Sequence, residues 1–273
     1  MAVTDVLVCI DPTLSGEGRL KLAVGIARAH QAYLSACYIM PKDHVPEVLT
    51  AAGSPLDPPV SREAEHAEQV EQLFRSELRL HRVGGEWHLL SPGEAAALID
   101  LAKSFDLTIL GQLSPETRSS AFRPDEIIVA SGRPILVVPY AGTFDTVGRR
   151  VLVAWDGTRE AARAVNDALP LLAHAEAVTV MYVGAREASI RQHRPSLERI
   201  AGHLQRHGIP AEPEEALRGD IAVSDVLLSR AADLAVDLIV SGAYHHSPLR
   251  EALIGGVSRE LLDHMTVPVL MSH

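Results

Sequence analysis

An α/β fold, built twice in tandem, is what this 273-residue sequence predicts. Three observations carry that reading. The chain repeats its own landmarks, short apolar runs alternate with helical patterns in each copy, and the apolar runs are nearly continuous. Uninterrupted apolar strands suit a parallel sheet with helices on both faces.

The elements follow in order. Val6-Leu7-Val8-Cys9-Ile10-Asp11 is an apolar run ending in aspartate, and Val151-Leu152-Val153-Ala154-Trp155-Asp156 repeats it. Alanine-rich helical patterns come next, over residues 20–29 and 159–173. Second strands then run from Leu34 to Ile39 and from Val178 to Val183, each closing on a tyrosine and a β-branched residue. Residues 41–59 hold five prolines and little periodicity, so they predict a surface loop. Residues 61–81 predict a long charged helix, with Val70, Leu73, Phe74 and Leu78 at helical spacing. Its Glu63, Glu65, Glu68 and Glu71 read as a solvated face, because carboxylates are seldom buried unpaired.

The later landmarks pair as well. Asp106-Leu107-Thr108-Ile109-Leu110-Gly111 matches Asp237-Leu238-Ile239-Val240-Ser241-Gly242, and Pro134-Ile135-Leu136-Val137-Val138 matches Pro268-Val269-Leu270-Met271-Ser272. The boundary therefore falls near residues 141–148, which gives domains at 1–141 and 149–273.

Composition narrows the function. The formal net charge is −10 and aromatic residues make up 4% of the chain. Neither suits a general nucleic-acid binder, which needs a basic surface and stacking platforms. No apolar run reaches the ~18 residues of a membrane span, and the N-terminus has no basic stretch like that of a signal peptide. The expectation is a cytoplasmic protein with no membrane partner. Cys9 and Cys37 lie in apolar strands and read as buried, reduced thiols on neighbouring strands.

The segment that carries chemistry is Gly242-Ala243-Tyr244-His245-His246-Ser247-Pro248-Leu249-Arg250-Glu251-Ala252-Leu253-Ile254-Gly255-Gly256-Val257-Ser258. It leaves the end of a strand and enters the helical pattern of residues 259–265. Glycines at both ends let backbone approach a ligand closely. N–H groups at the helix start, with the helix dipole behind them, favour an anion. The Ser258 hydroxyl can cap the helix or bond a phosphate oxygen.

This loop resembles the nucleotide-binding loop of the universal stress protein family, which reads Gly, two residues, Gly, nine residues, Gly, then Ser or Thr. Gly242 takes the first glycine and Gly255 the third. His245 replaces the second glycine, and Gly256 stands where Ser or Thr is usual. The resemblance covers essentially the whole chain twice. It implies two Rossmann-like domains, each a five-stranded parallel sheet in the order 3-2-1-4-5. It also implies that the fifth strands of the two copies pair antiparallel, making an intramolecular pseudo-dimer; a homodimer through other surfaces stays open.

By the same resemblance the ligand is an adenine nucleotide, ATP with or without magnesium. Ala154 and Asp156 would meet the nucleoside and backbone around Val183 would read adenine. Gly242, Gly255, Gly256, Val257 and Ser258 would hold the phosphates; His245, on the same loop, would weaken binding relative to the glycine it replaces, or else donate to phosphate. Asp156 reads equally as a helix N-cap or turn residue. Copy one has no glycine from 112 to 131, and Pro124-Asp125 stands in the place of Gly255-Gly256. It reads as structural or regulatory.

Other candidates read blandly. His245 and His246, with His264 or His273, do not make a standard zinc spacing, so no metal site is expected. Arg250 reads as a solvated or packing residue. No Gly-x-Ser-x-Gly elbow is present, and no catalytic residue is expected. Three functions remain: a regulatory stress protein binding nucleotide in copy two, a scaffold that binds none, and a slow ATP hydrolase.

Overall fold

The computed structural model describes residues 2–39, 60–90, 95–113, 123–243 and 256–273. The proline-bearing stretch 41–59 lies outside the described residues. The first unit comprises β1 (Asp5–Cys9), α1 (Leu14–His30), β2 (Tyr33–Ile39), α2 (Val60–His81), β3 (Trp87–Leu90), α3 (Ala95–Ala102), β4 (Leu107–Gly111), α4 (Pro124–Ser131) and β5 (Ile135–Val138). The second comprises β6 (Arg150–Ala154), α5 (Arg159–Leu172), β7 (Ala177–Gly184), α6 (Glu187–Arg206), β8 (Ala211–Leu217), α7 (Val223–Asp233), β9 (Leu238–Gly242), α8 (Val257–His264) and β10 (Val269–Ser272).

The strands form one ten-stranded sheet in the order β3-β2-β1-β4-β5-β10-β9-β6-β7-β8. Each half is therefore a 3-2-1-4-5 sheet, parallel throughout. The halves join where β5 and β10 pair antiparallel, with Val137 opposite Val269, Leu136 opposite Leu270 and Ile135 opposite Met271. All six side chains are fully buried. Two apolar edges that would invite aggregation thus cover each other.

Strand alternation explains the continuous apolar runs. Val6 and Val8 face one layer, which holds Leu20, Phe74, Val165 and Leu204; Leu7 and Cys9 face the other, which holds Leu98, Ile127, Leu227 and Leu261. The outer edges are built differently. β8 carries Glu212, Pro213, Glu214 and Glu215, and proline with charge blunts an edge strand. Among the described residues no helix is long and apolar enough to cross a membrane.

Two devices recur in both halves. Asp106 Oδ2 accepts from the backbone N–H and hydroxyl of Thr4 and from the N–H of Asp5, at 2.8–3.1 Å. Asp237 does the same for Thr146, Gly148, Arg149 and Arg150, at 2.9–3.2 Å. Each aspartate ties the start of its unit's first strand to the start of its fourth. At the other end, Thr13 caps α1 by accepting from Gly16 N at 3.0 Å, and Thr158 caps α5 by accepting from Ala161 N at 3.2 Å. The first helix therefore starts at Leu14, a turn and a half before the alanine-rich pattern shows it.

One contact between the halves is titratable. The rings of His30, closing α1, and His174, just past α5, lie 5.7 Å apart. Burial, and then the charge of His174, push the His30 pKa below its ordinary value. The unfolded chain then binds the proton first, so stability is full above about pH 6.5 and falls as the pH drops below it. In His30→Gln the loss of Tm between pH 7 and pH 5 should be smaller than in the wild type. An unchanged or steeper loss in differential scanning fluorimetry would count against the contact.

Candidate functional site

In an open α/β sheet the ligand crevice opens at the carboxyl ends of the strands, where the strand order reverses. In the second unit that is the gap between β6 and β9. Ala154, closing β6, flanks it, and Val183 near the end of β7 and Ala216 near the end of β8 continue the same end of the sheet away from it; all three are partly buried. Val183 and Ala216 are register partners. Val223 and Val257, at the starts of α7 and α8, pack against the same cluster. Together they make an aliphatic wall on one face of the sheet.

The aromatic residues nearby are turned away. Trp155 is buried on the opposite face with its indole N–H donating to Ser196 Oγ at 3.2 Å, and Tyr182 stacks on His193 at 4.3 Å. Backbone is better placed. β7 runs on to Gly184, whereas its last β6 partner is Met181. The β6-facing side of residues 182–184 therefore has no strand beside it.

Polar groups flank the wall. Asp156 is exposed, and its Oδ1 accepts from the N–H and hydroxyl of Thr158, at 3.0 and 2.6 Å. Thr158 is the helix cap, so Asp156 is a turn residue and not the N-cap. Its Oδ2 has no partner among the described residues. Gly157 between them has φ +78°, a conformation that favours glycine.

On the other side, Gly242 ends β9 hard against the start of α5. A Cβ there would lie 2.5 Å from Ala161 N and 2.7 Å from Glu160 C. α8 begins at Val257 with Gly256 as its N-cap residue. Ser258 therefore sits inside the first turn and does not cap the helix; its hydroxyl donates to Gly242 O at 3.5 Å. The structure so brings Ala154, Asp156, Val183, Gly242, Gly256, Val257 and Ser258 to one end of the sheet. His245 and Gly255 lie outside the described residues.

The matching positions in the first unit carry larger side chains. Strand register matches Cys9 to Ala154, Ile39 to Val183 and Leu90 to Ala216, and each first-unit residue is the larger. Cys9 and Cys37 are free, buried register partners with their sulfurs 2.7 Å apart. Burial, with the Cys9 contact adding to it, pushes the Cys37 thiol well above its usual range. At the helix start the structure sets Arg123, not Pro124, opposite Gly256: Arg123 is the N-cap residue of α4 and Pro124 its first helical residue. The Arg123 guanidinium donates to both oxygens of Asp125, at 3.1 and 3.0 Å.

Sequence reasoning missed Ala216 and Arg19. Ala216 sits in a strand too polar to show as one. Nothing in the sequence around Arg19 marks it, yet its side chain is 3% exposed and lies over the carboxyl ends of β1 and β4.

Comparison with known proteins agrees with this geometry. The profile of the Universal stress protein family matches residues 148–273. A universal stress protein from Archaeoglobus fulgidus superposes with a TM-score of 0.74 at 14% identity, covering 99% of this chain and 96% of that one. A putative universal stress protein from Pseudomonas aeruginosa gives 0.62 at 18%, covering 99% and 93%. These likenesses establish the fold of the whole chain. Among curated proteins, none matches the chain.

Proposed function

Because residues 148–273 belong to the universal stress protein family, we propose that the second unit binds one adenine nucleotide per chain and that the protein is a regulator in a stress response. One observation carries this reading. Ala154, Val183 and Ala216 of the second unit stand at the positions where the first unit carries the larger Cys9, Ile39 and Leu90.

Each residue then has a physical role. The aliphatic wall takes one face of the base. The β6-facing backbone of residues 182–184, which no strand covers, meets the base edge. The open Oδ2 of Asp156 accepts from a sugar hydroxyl. The glycine at Gly242 and the start of α8 at Gly256, Val257 and Ser258 receive the phosphates, with His245 and Gly255 completing the loop between them. Magnesium would ride on the phosphates, because no group of three or more His, Cys, Asp or Glu among the described residues is placed to hold a metal. The domains assigned to this division of labour are 1–141 and 149–273.

Titration calorimetry with ATP on the full chain is expected to give one site. Ala216→Leu, which installs the residue found at Leu90, should weaken binding tenfold or more, about 1.4 kcal/mol. Two equivalent sites, no binding, or an unaffected Ala216→Leu chain would each overturn the proposal.

A further inference from the structure

We propose that the first unit's crevice is a guanidinium-binding site, filled by the chain's own Arg19. This does not depend on nucleotide binding by the second unit. Arg19 projects from α1 over the carboxyl ends of β1 and β4 and is 3% exposed. Its Nε donates to Cys9 O at 2.7 Å. Its Nη2 donates to Asp11 Oδ2 in an ion pair, and Asp11 is 43% exposed. Its Nη1 lies against the place where a Cβ on residue 111 would be, so a side chain at Gly111 would force the guanidinium to move from its present position.

These contacts make a site and not merely a buried charge. A strand-end carbonyl and a carboxylate accept along two directions of one planar fork, and a bare backbone forms the floor. A rigid, permanently charged fork suits such a pocket better than a flexible ammonium does. Burial would be costly for an unpaired cation, so the partners and the floor have to be in place together.

The second unit keeps the aspartate and the glycine but not the arginine. Counting six residues from each cap, Arg19 past Thr13 corresponds to Ala164 past Thr158. The first crevice is therefore closed and charge-balanced from within.

The test uses the full chain. Arg19→Ala removes the atoms of an N-ethylguanidinium ion. Its Tm should fall by roughly 5 °C or more. Millimolar N-ethylguanidinium should then restore at least half of that fall in a saturable way, while giving the wild type no gain. Adding Asp11→Asn to Arg19→Ala should abolish the recovery. No fall, no recovery, or equal recovery in the double variant would overturn the proposal. If Arg19→Ala alone fails to fold, Gly111→Ala decides. It should lower the Tm by several degrees in the wild type and by much less beside Arg19→Lys, whereas equal falls in both backgrounds refute the site.

Discussion

Replacing Leu270 by aspartate is expected to unfold both units together. Leu270 is fully buried, opposite Leu136 in the only antiparallel pairing among the described strands, and belongs to the same core cluster as residues of both halves. Removing a buried leucine side chain costs about 2–5 kcal/mol, and an unpaired buried carboxylate adds several more. Domain stabilities are only about 5–15 kcal/mol, so little or nothing remains. Leu217, at the outer edge on β8, is 55% exposed and provides the control. Leu217→Asp should change stability by no more than about 0.5 kcal/mol. Circular dichroism melts and size-exclusion profiles distinguish the two. A Leu270→Asp chain that keeps a first-unit transition at the wild-type temperature would show that the halves do not depend on this seam.

Gly242→Ala should be the most damaging single methyl addition in the second unit. The Cβ would stand 2.5 Å from Ala161 N, and its neighbours are backbone of the first turn of α5, which cannot swing aside as a side chain can. Either β9 or α5 must shift, at a cost of about 1–3 kcal/mol. The same shift displaces the Thr158 cap and with it Asp156. Loss of stability in urea melts should therefore come with loss of ATP affinity. A chain that loses neither would contradict the close approach. Gly256→Ala is the natural comparison, since nothing lies within 4 Å of a Cβ there.

Much of the fold was legible because the repeat is anchored by residues with physical jobs. Asp106 and Asp237 tie strand starts together, and Asp11 and Asp156 mark the strand ends just before the helices that Thr13 and Thr158 cap. The fully buried strands show as apolar runs for the same reason that they are central. β3 and β8 are less visible because edge strands face solvent: β8 alternates no apolar face and contains Pro213. That hid Ala216. The glycines around 242–256 drew attention to the strand end of the second unit, where Gly242 meets the start of α5. The closure of the first unit's crevice was not legible, because an arginine on a helix normally signals water. The signal was there in the repeat itself, where Arg19 stands opposite alanine and not opposite another polar residue.

The order of synthesis gives the β5–β10 seam a further consequence. β5 ends at Val138, but its partner strand begins at Val269. Ribosomes add about 5–20 residues per second, so the first unit waits on the order of ten seconds with an uncovered apolar edge. Ile135, Leu136 and Val137 pass that interval paired to β4 on one side only. The nascent first half is thus an unfinished sheet, complete only when the second half delivers its last strand.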